Sequence, residues 1–190
     1  MAHEVSGLPW PDSDRIASFI TIQCLNAWAN FARAYFLSCT LSPWREKGLQ
    51  ITLNNSAIHT FDDAINAAVR KCKPWIPQQG SLKRRDEPAW HNPETLIKSC
   101  EEICCSNRTE IREALSGQTE VFDHLSTFRN FYAHRNDDTA VKAKQIARSY
   151  SISLRSHPSE ILLTPAYERP QILILDWIDD IEAIVELLCE

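Results

Sequence analysis

Glycine is scarce in this chain, which has 4 glycines and 10 prolines among 190 residues. Tight β-turns and hairpins rely on glycine, so the composition argues against a turn-rich β-sandwich or barrel. The sequence also lacks a G-x-G-x-x-G or a G-x-x-x-x-G-K pattern, the loops that hold nucleotide phosphates. The composition therefore disfavours an all-β fold and a phosphate-binding loop of either type.

Long apolar runs are also missing, since none approaches the roughly 20 residues that a membrane span needs. Residues 1–14 lack the basic lead and the apolar stretch of a signal peptide. The net charge of −5 excludes a globally basic nucleic-acid binder, although a local basic patch remains compatible with it. Seven cysteines, an odd number, are expected to be free thiols in a reducing compartment. We therefore expect a cytoplasmic protein without a membrane segment.

Apolar residues recur at helical spacing through most of the chain, whose length corresponds to about one domain. The spacing and the capping residues predict helices over residues 16–43, 56 or 60 to 72, 93–105, 107–117, 119–149 and 170–190. The helix over 119–149 is expected to bend near 136–138. A polar leader (1–11), a long basic loop (73–92) and an irregular connection (150–169) with a short strand at 160–164 complete the prediction. The predicted fold is all-α, a single domain over 1–190 forming an up-and-down bundle of five or six helices.

Basic side chains are concentrated late in the chain. Residues 129–155 carry six basic and two acidic side chains, a local net charge of 6 − 2 = +4. Such a block is often no more than a solvated helix face. It can also guide RNA phosphates without sequence preference. The residues that we expect to do so are Arg135, Lys142, Lys144 and Arg148.

The candidate catalytic segment is Arg129-Asn130-Phe131-Tyr132-Ala133-His134. An arginine followed by a histidine at this kind of spacing is expected about once by chance in such a chain, so the spacing alone is weak. Arg84 and Arg85 also precede His91 at similar spacing, but in the proline-rich loop, where no regular element fixes their geometry. Helical context therefore has to distinguish the two sites.

The helix predicted over this segment has two different faces. The apolar stripe consists of Val121, Leu125, Phe128 and Tyr132, and the opposite, titratable face of Asp123, Thr127, Asn130 and His134. Arg129 lies between them, about 140° from His134 on an ideal helix. A curled arginine side chain, a deformed helix or a second copy of the chain is needed to bring these two groups together.

The segment Arg129–His134 resembles the signature of the HEPN superfamily, small all-α proteins that include many prokaryotic toxins and defence ribonucleases. The resemblance implies a homodimer through the motif helices, in which the arginine and histidine of two chains face each other. It also implies RNA cleavage without a metal or cofactor, through the RNA's own 2′-OH. Arg129, Asn130 and His134 occupy the motif positions. One HEPN branch has a tyrosine two residues after the histidine, which a partner nucleotidyltransferase modifies, and here that residue is Asn136.

The residue types suit this chemistry. Histidine can accept and donate a proton near neutral pH, and arginine presents a planar fork to two phosphate oxygens. We therefore expect a metal-independent endoribonuclease of HEPN type, with His134 as acid/base, Arg129 as phosphate clamp and Asn130 supporting both. The resemblance adds a toxin or antiviral defence role and an antitoxin or partner protein. The alternatives are a non-catalytic dimerisation module within a larger complex and an RNA-binding protein without cleavage.

A zinc site is a weaker reading of the sequence. Cys100, Cys104 and Cys105 with His91 could be assembled into one, but the chain has no C-x-x-C pair. Because Cys100 and Cys104 are four residues apart, buried thiols on a helix face are the better interpretation.

Two further groups carry little functional signal. Asp179, Asp180 and Glu182 could mimic a magnesium site, although a solvated helix face explains them better. Trp75 and Trp90 of the basic loop could stack on bases or could attach the loop to the bundle.

Overall fold

The computed structural model describes residues 11–44, 48, 50–76, 84–117 and 119–190. That part of the chain contains eight α-helices and no β-strand, which confirms the all-α prediction. The helices are α1 (Asp12–Cys39), α2 (Phe61–Cys72), α3 (Pro93–Glu102), α4 (Arg108–Ala114), α5 (Glu120–His134), α6 (Asp137–Ile146), α7 (Pro158–Leu162) and α8 (Leu173–Cys189). Among them, none combines the length and the apolar character required to cross a bilayer. Most of the predicted leader and the middle of the predicted basic loop lie outside the described residues.

Backbone contacts divide the described residues into two compact units. The first consists of residues 11–26 and 120–183, and the second of residues 27–119 and 184–190 where they are described. The arrangement as a single bundle domain stays a prediction.

The core of the first unit is built around α5. The predicted apolar stripe of Val121, Leu125, Phe128 and Tyr132 is buried, which confirms the periodicity argument. Phe128 is fully enclosed and meets Trp177 of α8 edge-on, with the ring centroids 5.7 Å apart. Apolar burial of this face fixes which residues of α5 remain outside.

Helix starts of the second unit follow the predicted capping signals. The Thr60 side chain accepts a hydrogen bond from the Asp63 backbone, and the Asp63 carboxylate accepts one from the Thr60 backbone, a capping box for α2. Asn92 caps α3, with Pro93 at the first helical position. By contrast, Asn107 precedes α4 without a side-chain cap hydrogen bond, and its amide donates to the Tyr35 hydroxyl at 2.8 Å.

The predicted single helix over 119–149 is wrong, because the segment forms α5 and α6 with a break between them. Arg135 has a left-handed backbone (φ 43°), and the side chain of Asn136 accepts from the Thr139 backbone at 2.9 Å. The Thr139 hydroxyl in turn accepts from the Asn136 backbone. This reciprocal cap starts a new helix instead of bending the old one.

The strand predicted at 160–164 is also wrong. His157 and Glu160 form a capping box, and Pro158 occupies the first helical position, so residues 158–162 form α7. The break after α5 and this additional short helix explain why eight helices replace the five or six predicted.

Candidate functional site

The second half of α5 divides its residues sharply between core and surface. Phe131 and Tyr132 are buried, at 4% and 7% exposure, while Arg129, Asn130 and His134 are exposed. Among the residues that the structure describes, these three side chains have no hydrogen-bond or ion-pair partner. A guanidinium, an amide and an imidazole of α5 are therefore exposed and available to contact a ligand.

The residues of the predicted polar face of α5 are exposed or half-buried in the structure. Asp123, Asn130 and His134 are exposed, and Thr127, half-buried, donates its hydroxyl hydrogen to the Asp123 carbonyl at 2.8 Å. Asn130 precedes His134 by one turn, so their side chains lie on the same side of the helix. The two groups can therefore contact one ligand from a single copy of the chain.

The Arg129 side chain leaves α5 on a different side from Asn130 and His134. α5 is regular through His134, so the Cα–Cβ directions of Arg129 and His134 differ by about 140°. Helix deformation, one of the three ways of bringing the groups together, is thereby removed. A long side chain reaching around the helix and a second copy of the chain remain.

The end of α5 is held by a buried carboxylate that sequence reasoning missed. Asp14 of α1, 5% exposed, accepts from the Arg135 guanidinium at 2.9 Å and from the Ser159 hydroxyl at 2.5 Å. Ser159 uses its hydrogen on Asp14, so the Tyr132 hydroxyl donates to Ser159, at 3.0 Å. We call these four residues the Asp14 cluster. The cluster ties the turn after His134 to α1 and α7 within the first unit.

Arg135, predicted to bind RNA, has much of its charge engaged within the protein. Besides the ion pair with Asp14, its guanidinium lies over the rings of Tyr132 and Phe131, at 5.6 and 5.9 Å from their centroids. Its side chain is 49% exposed, which leaves one side of the guanidinium accessible to solvent.

The other three predicted RNA-binding residues are better placed for that role. Lys142 and Arg148 are exposed and Lys144 is half-buried, on α6 and the 3-10 turn Ala147–Tyr150. Within the described residues their charged groups form no ion pair or hydrogen bond. They follow α5 directly in the chain and belong to the same unit.

A second histidine lies against the motif helix. His157 meets the Phe131 ring edge-on, with the centroids 5.6 Å apart. Burial lowers the pKa of His157, and the charges of Lys144 and Arg135 lower it further, against the opposing effect of Asp14 and Glu160. The sequence did not indicate His157 as a site residue. It caps α7, and a strand rather than a helix was predicted there.

The structure does not bring together the two groups that the sequence offered as alternative metal sites, the cysteine group and the carboxylates of α8. Cys100 and Cys105 are close to each other, but the third thiol beside them is that of Cys39 rather than Cys104. Among the described residues, Asp179, Asp180 and Glu182 do not form a group with metal-ligand spacing. Burial raises the pKa of the Asp180 carboxyl. Asp179 and Glu182 are exposed, and Asp180 is half-buried.

The two tryptophans of the predicted loop have different environments. Trp90 is buried, donates its Nε1 hydrogen to Glu87 at 2.9 Å and lies 5.2 Å from the Phe36 ring, so it attaches the chain to the core of the second unit. Trp75 is 74% exposed. Arg84 and Arg85 lie in a 3-10 turn rather than on an α-helix with His91.

Comparisons with family models, curated proteins and solved structures give no match for this chain.

Proposed function

We propose that this protein is a metal-independent endoribonuclease that cleaves RNA through attack of the 2′-OH. The observation that carries the proposal is the set of three exposed side chains, Arg129, Asn130 and His134, which have no partner among the described residues, on a helix whose apolar stripe is buried in the core. The resemblance of this segment to the HEPN signature supports the same function.

The chemistry assigns one task to each group. An imidazole removes the 2′-OH proton while the O2′–P bond forms, and an acid protonates the 5′ oxygen as the P–O5′ bond breaks. His134 is the side chain that would carry out these proton transfers. Arg129 holds two phosphate oxygens and stabilises the charge that grows on them. Asn130, on the same side as His134, orients the imidazole or contacts the phosphate. The products are a 2′,3′-cyclic phosphate and a 5′-hydroxyl.

The direction of Arg129 favours a composite site. Because α5 stays regular through His134, a second α5 facing the first supplies an arginine to each histidine more directly than a curled side chain does. The proposed active form is a homodimer through α5. Gel filtration should give a dimer at micromolar concentration, and a monomer there would count against the composite site.

RNA would approach along the basic residues that follow the motif. Lys142, Lys144 and Arg148 offer positive charge without internal partners among the described residues, and Arg135 offers its outer side. Phosphate contacts of this kind carry little sequence preference. A toxin or antiviral defence role, under the control of an antitoxin or partner protein, follows from the family resemblance.

The test is cleavage of a mixed RNA by purified protein in EDTA. We expect the wild type to cut, and His134→Ala and Arg129→Ala to lose activity by about 100-fold or more. His59→Ala is the matched control, because His59 is an exposed histidine of the second unit. Folded wild type that leaves RNA intact would favour the dimerisation module, and salt-sensitive RNA binding without cleavage would favour the binding protein.

A further inference from the structure

Three fully buried thiols converge in the second unit. Cys39 is the last residue of α1, Cys100 lies in α3 and Cys105 follows α3 by three residues, so three separated positions contribute. Their Sγ atoms all lie within 4.8 Å of one another, and each residue is 0% exposed. None of the three cysteines forms a disulfide bond.

The backbone near Cys105 makes an unusual turn to enclose that thiol. Cys104 has a left-handed conformation (φ 55°), which residues with a Cβ rarely adopt. The Cys105 backbone then donates to the Cys100 carbonyl at 3.0 Å and forms an isolated bridge with Leu53. As a result Cys105 points into the core beside Cys100, while Cys104 remains half-buried.

Thiolate sulfur is the ligand that soft metal ions prefer. With a metal–sulfur bond of about 2.3 Å, tetrahedral sulfurs lie about 3.8 Å apart, so the observed trio has to contract by about 1 Å at most. Structural zinc almost always takes four ligands. In the described part of the chain this group offers three.

The geometry points to a Cu(I) site formed by Cys39, Cys100 and Cys105, because Cu(I) is soft and is satisfied by two or three thiolates. This site is independent of the proposed nuclease site, since its ligands belong to the second unit and Arg129, Asn130 and His134 belong to the first.

Metal binding at this site is coupled to protons and to folding. The thiols of Cys105 and Cys39, together with burial, raise the pKa of Cys100 well above its usual range. Cu(I) binds the thiolate forms, so its binding releases the thiol protons to solvent. Because the sulfurs are enclosed, the ion enters as the second unit folds or when it opens locally.

The test uses the full chain, refolded without oxygen in the presence of a Cu(I)–glutathione complex and then desalted. We expect about one copper per chain, and X-ray absorption at the copper edge should report sulfur ligands only. Cys100→Ser should reduce the retained copper at least about tenfold. Cys24→Ser is the matched control, because Cys24 is a half-buried cysteine of the first unit, outside the cluster.

Three results would overturn the assignment. The first is that folded wild type retains no copper, and the second is that Cys100→Ser retains as much copper as Cys24→Ser. The third, measured by refolding with Cu(I) and Zn(II) together, is that the chain retains zinc in preference to copper. The absorption measurement on wild type counts the ligands even where Cys100→Ser fails to fold.

Discussion

Replacing Asp14 with alanine should destabilise the first unit and weaken the proposed site. The carboxylate is almost fully buried and accepts two hydrogen bonds, from Ser159 and from Arg135. A hydrogen bond to a charged group contributes about 1.5–3 kcal/mol. The Arg135 end is half-exposed, so that ion pair adds under about 1 kcal/mol. We therefore expect Asp14→Ala to lower the free energy of unfolding by about 1.5–4 kcal/mol.

The assay is urea unfolding followed by circular dichroism, with RNA cleavage measured below the transition. Asp12→Ala is the matched control, because Asp12 is exposed, lies in the same helical turn and, among the described residues, pairs only with exposed Arg15 at 3.6 Å. Its cost should stay under about 1 kcal/mol. If the two variants lose the same stability, the Asp14 cluster does not hold the end of α5 as described, and the reasoning fails.

Three further predictions follow from the described contacts. Phe128→Ala removes a fully buried ring against Trp177 and should cost about 3–5 kcal/mol in urea unfolding. Lys142→Ala and Arg148→Ala should each weaken RNA binding and reduce the salt slope by about 1, measured by fluorescence anisotropy at several salt concentrations. Burial lowers the pKa of His124 below its ordinary value of 6.5. As the pH falls through 6.5, the unfolded chain therefore binds a proton at His124 before the folded chain does, and the free energy of unfolding should decrease. His124→Gln should lose less stability than wild type between pH 7 and 5, by the shift of the urea midpoint.

The spacing of apolar residues along the sequence predicted which face of α5 is buried. The stripe ending in Phe128 and Tyr132 is visible in the sequence because a helix repeats its buried positions every three to four residues. The break at Arg135 was less visible, because apolar residues at helical spacing resume at Ala143 and Ile146 beyond it. The cap at Asn136 carried the signal, since its side chain can satisfy a helix start.

Long-range pairs were beyond the sequence. Asp14 lies 121 residues from Arg135, and its carboxylate reads equally well as an acid complementing the start of α1. Cys39 likewise gave no sign that it would join Cys100 and Cys105, because the sequence shows spacing along one helix and not which helices meet. The polar face that carries Asn130 and His134, by contrast, was visible in the helical pattern alone.

The chemical identity of the RNA ends tests the central claim most directly. RNA cut by purified wild type in EDTA should carry 2′,3′-cyclic phosphate and 5′-hydroxyl ends, and His134→Ala at equal concentration should produce none of them. Ends of another type, a requirement for a metal ion, or the same ends at the same rate from His134→Ala would contradict a site built on Arg129 and His134.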